Sequence, residues 1–241
     1  MESLNHKICI ITGGGTGIGR GVAMALAQAG VRVVVCGRRK NRLDETVDLI
    51  KTGGGEALAI QADVSEPSEV ERLVREVMET FKQIDILINN AGVEVDSKEV
   101  HLSKIEDWDK IMATNLRGQF LMTRAVLPLM RARRGGHIIF ISSEAGLEFN
   151  PGDSVYGTSK HALNAFAEFV VRENQDFDIR VNTICPGMVV TEMTENSIGL
   201  DHSKCLYPED IADLAIWLLT RRKNIKIGTP ILIQTMLNPW E

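Results

Sequence analysis

Seven short apolar runs alternate with longer amphipathic segments along the whole chain, and this alternation constrains the fold more than any other feature of the sequence. The apolar runs are rich in Val and Ile and predict strands buried on both faces, over residues 7–12, 31–36, 57–62, 84–89, 137–142, 179–184 and 230–234. Segments with helical periodicity lie between them, including 18–29, 68–81, 106–133, 155–173 and 208–220. A repeated β-α order predicts an α/β fold with one parallel sheet and helices on both faces.

Composition narrows the classes of protein that this chain can represent. The chain has 241 residues, of which 44% are hydrophobic and 24% charged, with a formal net charge of −5 and no internal linker or repeat, so we expect a single domain over residues 1–241. No apolar window approaches the roughly 18 residues of a membrane span, and no basic block resembles a nucleic-acid arm or a secretion signal. We therefore expect a cytoplasmic protein with a small-molecule partner, no nucleic acid and no membrane. The four cysteines are widely separated and predict reduced thiols without a metal site.

A glycine-rich turn joins the first predicted strand to the first predicted helix. Residues 12–20 read TGGGTGIGR, and glycines at 13, 17 and 19 permit a tight turn, close approach of the backbone to a pyrophosphate, and close helix packing. Thr16 and Ile18 stand between these glycines, where the phosphates would meet the helix N-terminus. The arrangement of strand, glycine turn and helix predicts a Rossmann-type doubly wound parallel sheet of about seven strands that binds a dinucleotide. A plain strand-to-helix turn remains the alternative.

The end of the second predicted strand indicates which dinucleotide is bound. In this type of sheet, the residue about 20 positions past the glycines faces the 2′ position of the adenosine ribose. Here the sequence reads Gly37-Arg38-Arg39, with no acidic side chain to bond a free hydroxyl and two guanidinium groups to bond a phosphate. NADP(H) is therefore favoured over NAD(H), unless both arginines merely solvate the start of the next helix.

Further motifs follow the glycine loop in a defined order. They are Asn89-Asn90-Ala91-Gly92 after the fourth strand, Ser142-Ser143 after the fifth, Tyr156-Gly157-Thr158-Ser159-Lys160 at the start of a long helix, and Pro186-Gly187. Together with the TGxxxGxG spacing, this set resembles the short-chain dehydrogenase/reductase family across nearly the full chain.

The resemblance implies a role for each matching residue. Tyr156 would be the general acid/base, Ser143 would bond the substrate oxygen, Lys160 would hold the nicotinamide ribose, and Asn115 would complete a water-linked proton relay. The further cofactor contacts implied by the resemblance are Asp63 and Val64 at the adenine, Asn89, Ala91 and Gly92 along the ribose and channel, and Pro186, Gly187, Val189 and Thr191 at the carboxamide end.

The spacing of Tyr156 and Lys160 suits proton transfer. A tyrosine titrates near 10, and a cation four residues later on the same helical face favours its phenolate. We expect reversible hydride exchange between NADP(H) and a small carbonyl or secondary alcohol substrate, as in a carbonyl reductase or alcohol dehydrogenase.

Two other functions remain open. A 3-oxoacyl-[acyl-carrier-protein] reductase would need a basic surface for its acidic carrier, which Arg124, Arg131, Arg133, Arg134 and Arg172 can offer. A catalytically silent nucleotide sensor or scaffold is the alternative of another class. Candidate substrate contacts are Glu94, Glu144, Leu147, Phe149, Met188 and Met193, each of which can instead be a solvated loop residue.

The two longest predicted helices, 106–133 and 155–173, carry apolar residues on more than one face, including Leu121, Leu127, Phe166 and Phe169. This pattern is compatible with core burial combined with helix packing between subunits. By analogy with the family, we expect a homodimer or homotetramer.

Overall fold

The computed structural model, which describes residues 2–195 and 197–241, contains one seven-stranded sheet in which every pairing is parallel. The strand order is β3-β2-β1-β4-β5-β6-β7. The strands are β1 (Ile8–Thr12), β2 (Arg32–Gly37), β3 (Ala57–Gln61), β4 (Ile86–Asn89), β5 (Gly136–Ile141), β6 (Ile179–Pro186) and β7 (Ile231–Ile233). The predicted α/β, Rossmann-like fold is confirmed.

Helices cover both faces of this sheet. The helices are α1 (Gly17–Gln28), α2 (Lys40–Thr52), α3 (Pro67–Phe81), α4 (Ile105–Ile111), α5 (Gln119–Arg133), α6 (Ser154–Asn174) and α7 (Pro208–Leu219). Alternate side chains of β1 divide between two apolar clusters, because successive residues of a strand point to opposite faces. Cys9 and Ile11 pack with α1, α2 and α7, whereas Ile8 and Ile10 pack with α3, α5 and α6. None of the helices in the described ranges is both long and apolar enough to cross a membrane.

The predicted helix 106–133 is interrupted. A π-helical segment, Met112–Gly118, stands between α4 and α5, so the backbone winds more widely over these seven residues. A short π-helical segment changes the spacing of apolar residues too little to be detected in the sequence pattern. The sequence therefore predicts one regular helix here. π-Helical turns occur frequently at functional sites, and this one carries Asn115.

The apolar residues of α5 and α6 mostly serve the core. Leu121 is 9% exposed and belongs to the core, and Phe166 packs edge-on against the buried Phe140 with ring centroids 5.8 Å apart. Phe169, in contrast, is 64% exposed, and Phe120 on α5 is 44% exposed. Core burial, one part of the prediction, accounts for Leu121 and Phe166, because a helix between a sheet and a second helix is apolar on more than one side. Helix packing between subunits stays a prediction.

The sheet contains one point where the winding of the chain reverses. β1 pairs with both β2 and β4, so the connections that leave β1 and β4 run in opposite directions. In open α/β sheets, ligands bind in the crevice outside the carboxyl ends of the strands at such a point.

Candidate active site

A continuous groove crosses the carboxyl ends of the strands at this reversal point. It runs from the glycine loop after β1, past the ends of β2, β3 and β4, to the first turns of α6. The groove is lined by thirteen of the cofactor-binding residues expected from the sequence: Gly13, Thr16, Gly17, Ile18, Arg38, Arg39, Asp63, Val64, Ala91, Gly92, Tyr156, Lys160 and Thr191.

Particular positions of the glycine loop require a residue without a side chain. Gly13 and Gly17 have positive φ angles of 65° and 51°, a region that favours glycine. A Cβ atom on Gly19 would lie 2.4 Å from the carbonyl oxygen of Gly13. Asn90 closes the loop from the side, because its Nδ2 donates to the Thr12 carbonyl oxygen at 2.8 Å. This tight turn at the N-terminus of α1 fits the pyrophosphate of a dinucleotide.

Three arginines stand at the end of the groove next to the carboxyl end of β2. Arg38 and Arg39 follow β2 as expected, and Arg42, one turn into α2, joins them. Arg39 donates to Thr16 Oγ1 at 3.2 Å. Glu192 accepts from Arg39 at 2.9 Å and from Arg42 at 3.1 Å. The sequence reasoning missed Arg42 and Glu192. Helical spacing after Arg38 could have indicated Arg42, whereas only the tertiary fold brings Glu192 near.

Five residues expected at the cofactor are absent from the described lining of this groove. Asn89 is buried and donates to Thr123 Oγ1 at 2.9 Å, so its side chain points to the α5 side while Asn90 faces the groove. Gly19 lies beneath the loop, and Val189 is in the core. Pro186 and Gly187 continue β6 beside β7, where the Gly187 amide donates to the Ile233 carbonyl oxygen at 2.8 Å. These five positions lie behind or beside the lining of the groove, and their contact with a cofactor stays a prediction.

Lys160 is buried and hydrogen-bonded at the other end of the groove. Its side chain is 3% exposed, and its Nζ donates to the Ile141 carbonyl oxygen at 3.2 Å. The same Nζ lies 5.4 Å from the centroid of the Tyr156 ring, one helical turn earlier on α6. Burial lowers the pKa of Lys160 to about 8. The predicted proximity of the two side chains is therefore present in the fold.

Ser143 follows β5 and caps a short 3₁₀ turn over residues 144–146, where its Oγ accepts from the Ala145 amide at 3.2 Å. Burial raises the pKa of Tyr156 above its ordinary value, the charge of Glu94 raises it further, and a hydrogen bond from Ser143 lowers it. The direction is opposite to that expected from Lys160, because burial of the hydroxyl is the largest influence on this pKa and the neighbouring carboxylates act in the same direction. Burial therefore favours the protonated form of Tyr156.

Asn115 connects the loop after β4 to α6. Its Oδ1 accepts from the Val93 amide at 2.8 Å, and its Nδ2 donates to the Val93 carbonyl oxygen at 2.9 Å and to Ser159 Oγ at 3.3 Å. A Cβ on Gly92 would be 3.6 Å from Asn115 Oδ1 and 3.8 Å from Lys160 Nζ. The fold therefore brings Asn115 to the same end of the groove as Lys160.

The side of the site beyond Tyr156 is acidic. Burial raises the pKa of the carboxyl groups of Glu94, Glu144 and Asp153, and all three charges raise the pKa of Tyr156. Glu144 Oε2 packs against the backbone of Gly187, 2.9 Å from where a Cβ would stand. Asp153, at the N-cap of α6, has no distinctive signal in the sequence and was missed.

Three of the four other expected substrate contacts are exposed at the surface. Phe149 is 86% exposed and stacks on His161 with ring centroids 4.5 Å apart. Leu147 and Met193 are also exposed, and Met193 lines the groove next to Glu192. Met188 is half-buried.

Comparison with known proteins identifies the family of this chain. The family model described as short chain dehydrogenase matches residues 7–199, which include the glycine loop, Ser143, Tyr156 and Lys160. The chain belongs to the short-chain dehydrogenase/reductase family. It is therefore an oxidoreductase of this family, as the sequence resemblance predicts.

Individual members of the family cover most of the chain. A 3-oxoacyl-[acyl-carrier-protein] reductase of Synechocystis is 39% identical over 81% of this chain and 79% of its own length. A short-chain type dehydrogenase/reductase from Mycobacterium marinum has a similar structure, with a TM-score of 0.89 and 31% identity over 96% of this chain and 95% of that one. A metagenomic short-chain oxidoreductase in complex with NADP has a TM-score of 0.84 and 30% identity over 96% and 98% of the two chains.

Proposed function

We propose that the protein is an NADP(H)-dependent oxidoreductase that interconverts a carbonyl and a secondary alcohol. The observation that carries the proposal is the single groove that joins the glycine loop to Tyr156 and the buried Lys160. A bound nicotinamide cofactor supplies the hydride acceptor or donor. Every other part of the chemistry falls to side chains of this chain.

Tyr156 is the proton donor and acceptor in this proposal. Its pKa is raised by burial, so in reduction it delivers its proton to the substrate oxygen as negative charge develops there. Ser143 stabilises the same oxygen by a neutral hydrogen bond. Lys160 positions the nicotinamide ribose from its fixed place against Ile141, and Asn115 holds the Val93 loop beside it.

The remaining groove residues bind the cofactor. The glycine loop takes the pyrophosphate, Asp63 and Val64 border the adenine, and Thr191 bonds the carboxamide. The preference for NADP(H) is supported by Arg38, Arg39 and Arg42 and by the absence of an acidic residue at the end of β2. The similar metagenomic enzyme in complex with NADP is compatible with it.

A substrate screen with both cofactors tests this proposal. Ketones, aldehydes, sugars and 3-oxo thioesters are each incubated with NADPH or NADH, and loss of reduced cofactor is followed by absorbance. We expect turnover of at least one carbonyl class with NADPH preferred. Tight binding of NADPH without turnover across the panel would instead support a nucleotide sensor or scaffold.

A 3-oxoacyl-[acyl-carrier-protein] reductase is the second candidate, favoured by the 39% identity to the Synechocystis enzyme. Its expected basic surface is weaker than the sequence indicated. Arg133 pairs with Asp85 at 2.7 Å, and Arg131 donates to Asn174 at 2.7 Å, so neither is free for a carrier. Arg172 is 74% exposed but pairs with Glu168 at 2.7 Å.

Charge reversal at Arg172 separates the two candidates. A carrier-dependent enzyme should lose most of its activity on the carrier-bound substrate when Arg172→Glu is introduced and retain activity on a small 3-oxo thioester. Equal activity of the variant and the parent protein on both substrates would leave the small-molecule function as the better account.

We further propose a homodimer or homotetramer, supported by the exposed aromatic side chains of Phe120 and Phe169 on neighbouring helices. Light scattering of the eluting protein measures the mass, and Phe169→Glu should reduce it. A monomeric parent protein would contradict this proposal.

A further inference from the structure

Glu192 bridges two arginines across the groove. Its Oε2 lies 2.9 Å from Arg39 Nη1, and its Oε1 lies 3.1 Å from Arg42 Nη2. The arginines stand on the wall formed by β2 and α2, whereas Glu192 belongs to the opposite wall, directly after Thr191. Each carboxylate oxygen of Glu192 thus forms an ion pair with one guanidinium group.

This arrangement is the one that a phosphate monoester would make with the same two arginines. Guanidinium groups bind carboxylates and phosphates through the same forked pattern of N–H donors. Arg42 has a second carboxylate partner on its own helix, Glu45, at 3.1 Å. Within residues 2–195 and 197–241, Glu192 is the one carboxylate that forms an ion pair with Arg39.

The side chain of Glu192 is able to leave without disrupting its segment. The turn over residues 191–194 is held by its own hydrogen bonds, from the Thr191 amide to Thr194 Oγ1 at 3.0 Å and from Thr194 Oγ1 to the Val189 carbonyl oxygen at 2.7 Å. The side chain of Glu192 is 37% exposed, and those of Arg39 and Arg42 are 58% and 40% exposed. Exposed ion pairs of this kind are weak individually, so a stronger anion can replace the carboxylate.

We propose that Glu192 competes with the 2′-phosphate of NADP(H) for Arg39 and Arg42, and thereby sets how strongly the protein distinguishes NADP(H) from NAD(H). The inference rests on the proposed function in one respect, since it takes these arginines to face the 2′ position. A phosphate monoester carries close to two negative charges near neutral pH and displaces a carboxylate that carries one. The displacement reduces the affinity for NADP(H) below what the arginines alone would give, and it leaves NAD(H) binding unchanged.

The test uses nucleotides that differ only at the 2′ position and carry no nicotinamide. Adenosine 2′,5′-bisphosphate and 5′-AMP are titrated calorimetrically into the parent protein and into Glu192→Gln. We expect the variant to bind the bisphosphate about three- to tenfold more tightly, as loss of one or two exposed ion pairs implies, and 5′-AMP equally well. Glu195→Gln is the matched control, because Glu195 is exposed on the same segment and makes no ion pair within the described ranges; it should bind both ligands like the parent.

Unchanged or weaker binding of the bisphosphate by Glu192→Gln would overturn the inference, and so would an equal gain for 5′-AMP. Failure of the proposed cofactor preference has a different signature, namely a parent protein that binds NADH more tightly than NADPH. In that case, a gain of bisphosphate binding in Glu192→Gln would still establish the competition and would show that the carboxylate excludes the phosphate.

Discussion

The active site has two walls of different construction: a cofactor wall, formed by the glycine loop after β1, and a substrate wall, formed by the loops after β5 and β6. The cofactor wall is made of backbone, and a single added Cβ on Gly19 would come within 2.4 Å of the Gly13 carbonyl oxygen. The substrate side is made of loop side chains, among which Phe149 is 86% exposed and Met193 47% exposed. Backbone geometry of this kind accepts very few residue types, whereas an exposed loop accepts many. The glycine loop of the cofactor wall can therefore be recognised from the sequence, whereas the loops on the substrate side cannot.

The largest effect on cofactor affinity is expected from a change that adds one carbon atom to the glycine loop. Gly19→Ala should lower the affinity for NADPH and NADH alike by about 100-fold, because the new carbon would lie 2.4 Å from the Gly13 carbonyl oxygen and the loop must shift to clear it. Fluorescence titration with each cofactor measures the effect.

Gly135→Ala is the matched control, since no atom lies within 4 Å of the position of its Cβ. Circular dichroism must show that both variants remain folded. Normal cofactor affinity in a folded Gly19→Ala protein would contradict the claim that the glycine loop tolerates no side chain at this position.

A smaller and selective effect is expected at the edge of the cofactor wall. Arg38→Asp removes a donor from the groove and adds a negative charge, so NADPH affinity should fall by about 10- to 100-fold while NADH affinity changes little. Arg75→Asp, at an exposed position on α3, controls for the change in net charge. Parallel losses for the two cofactors in Arg38→Asp would mean that this arginine does not read the 2′ position.

The same contrast explains what could be predicted from the sequence. All seven strands were located to within about two residues, because buried parallel strands are continuous apolar runs. The glycine loop and the positions of Tyr156 and Lys160 followed from fixed local spacing. Which of Asn89 and Asn90 faces the groove depends on where β4 ends, and a shift of one residue reverses the side.

Long-range contacts were beyond the reach of the sequence. Glu192 meets Arg39 from a segment more than 150 residues away in the chain, and no periodicity connects them. The raised pKa of Tyr156 depends on burial among Glu94, Glu144 and Asp153, which come from two separate loops and a helix start. The spacing of residues on α6 could show that Lys160 is a neighbour of Tyr156, but it could not show that carboxyl groups from other segments surround the tyrosine.

On the substrate side, effects should be confined to the substrate. Glu144→Gln should change KM for the carbonyl substrate by about three- to tenfold with little change in cofactor affinity, because its carboxylate packs beside Gly187 and outside the described lining of the groove. Steady-state kinetics and cofactor titration separate the two effects. Glu148→Gln, at an exposed neighbouring position, should change neither. A comparable loss of NADPH affinity in Glu144→Gln would contradict the separation of the walls.

The smallest expected effect is a displacement of a pH profile. Alcohol oxidation needs the ionised form of Tyr156, so its rate rises with pH toward the pKa of this group. The negative charge of Glu94 raises that pKa, and Glu94→Gln should therefore move the rising limb to lower pH. The profile of kcat for oxidation measures the displacement. A limb that stays in place or moves to higher pH would show that Glu94 does not act on Tyr156.

The most direct measurement compares turnover and cofactor binding in Tyr156→Phe, with Tyr207→Phe as control. The chain has two tyrosines, and Tyr207 is 50% exposed at the start of α7, away from the groove. We predict that Tyr156→Phe lowers kcat with the best carbonyl substrate by about 1,000-fold or more and leaves the Kd for NADPH within about twofold of the parent. Tyr207→Phe should match the parent in both quantities. Turnover by Tyr156→Phe at the rate of the parent protein would contradict the assignment of Tyr156 as the proton-transfer group.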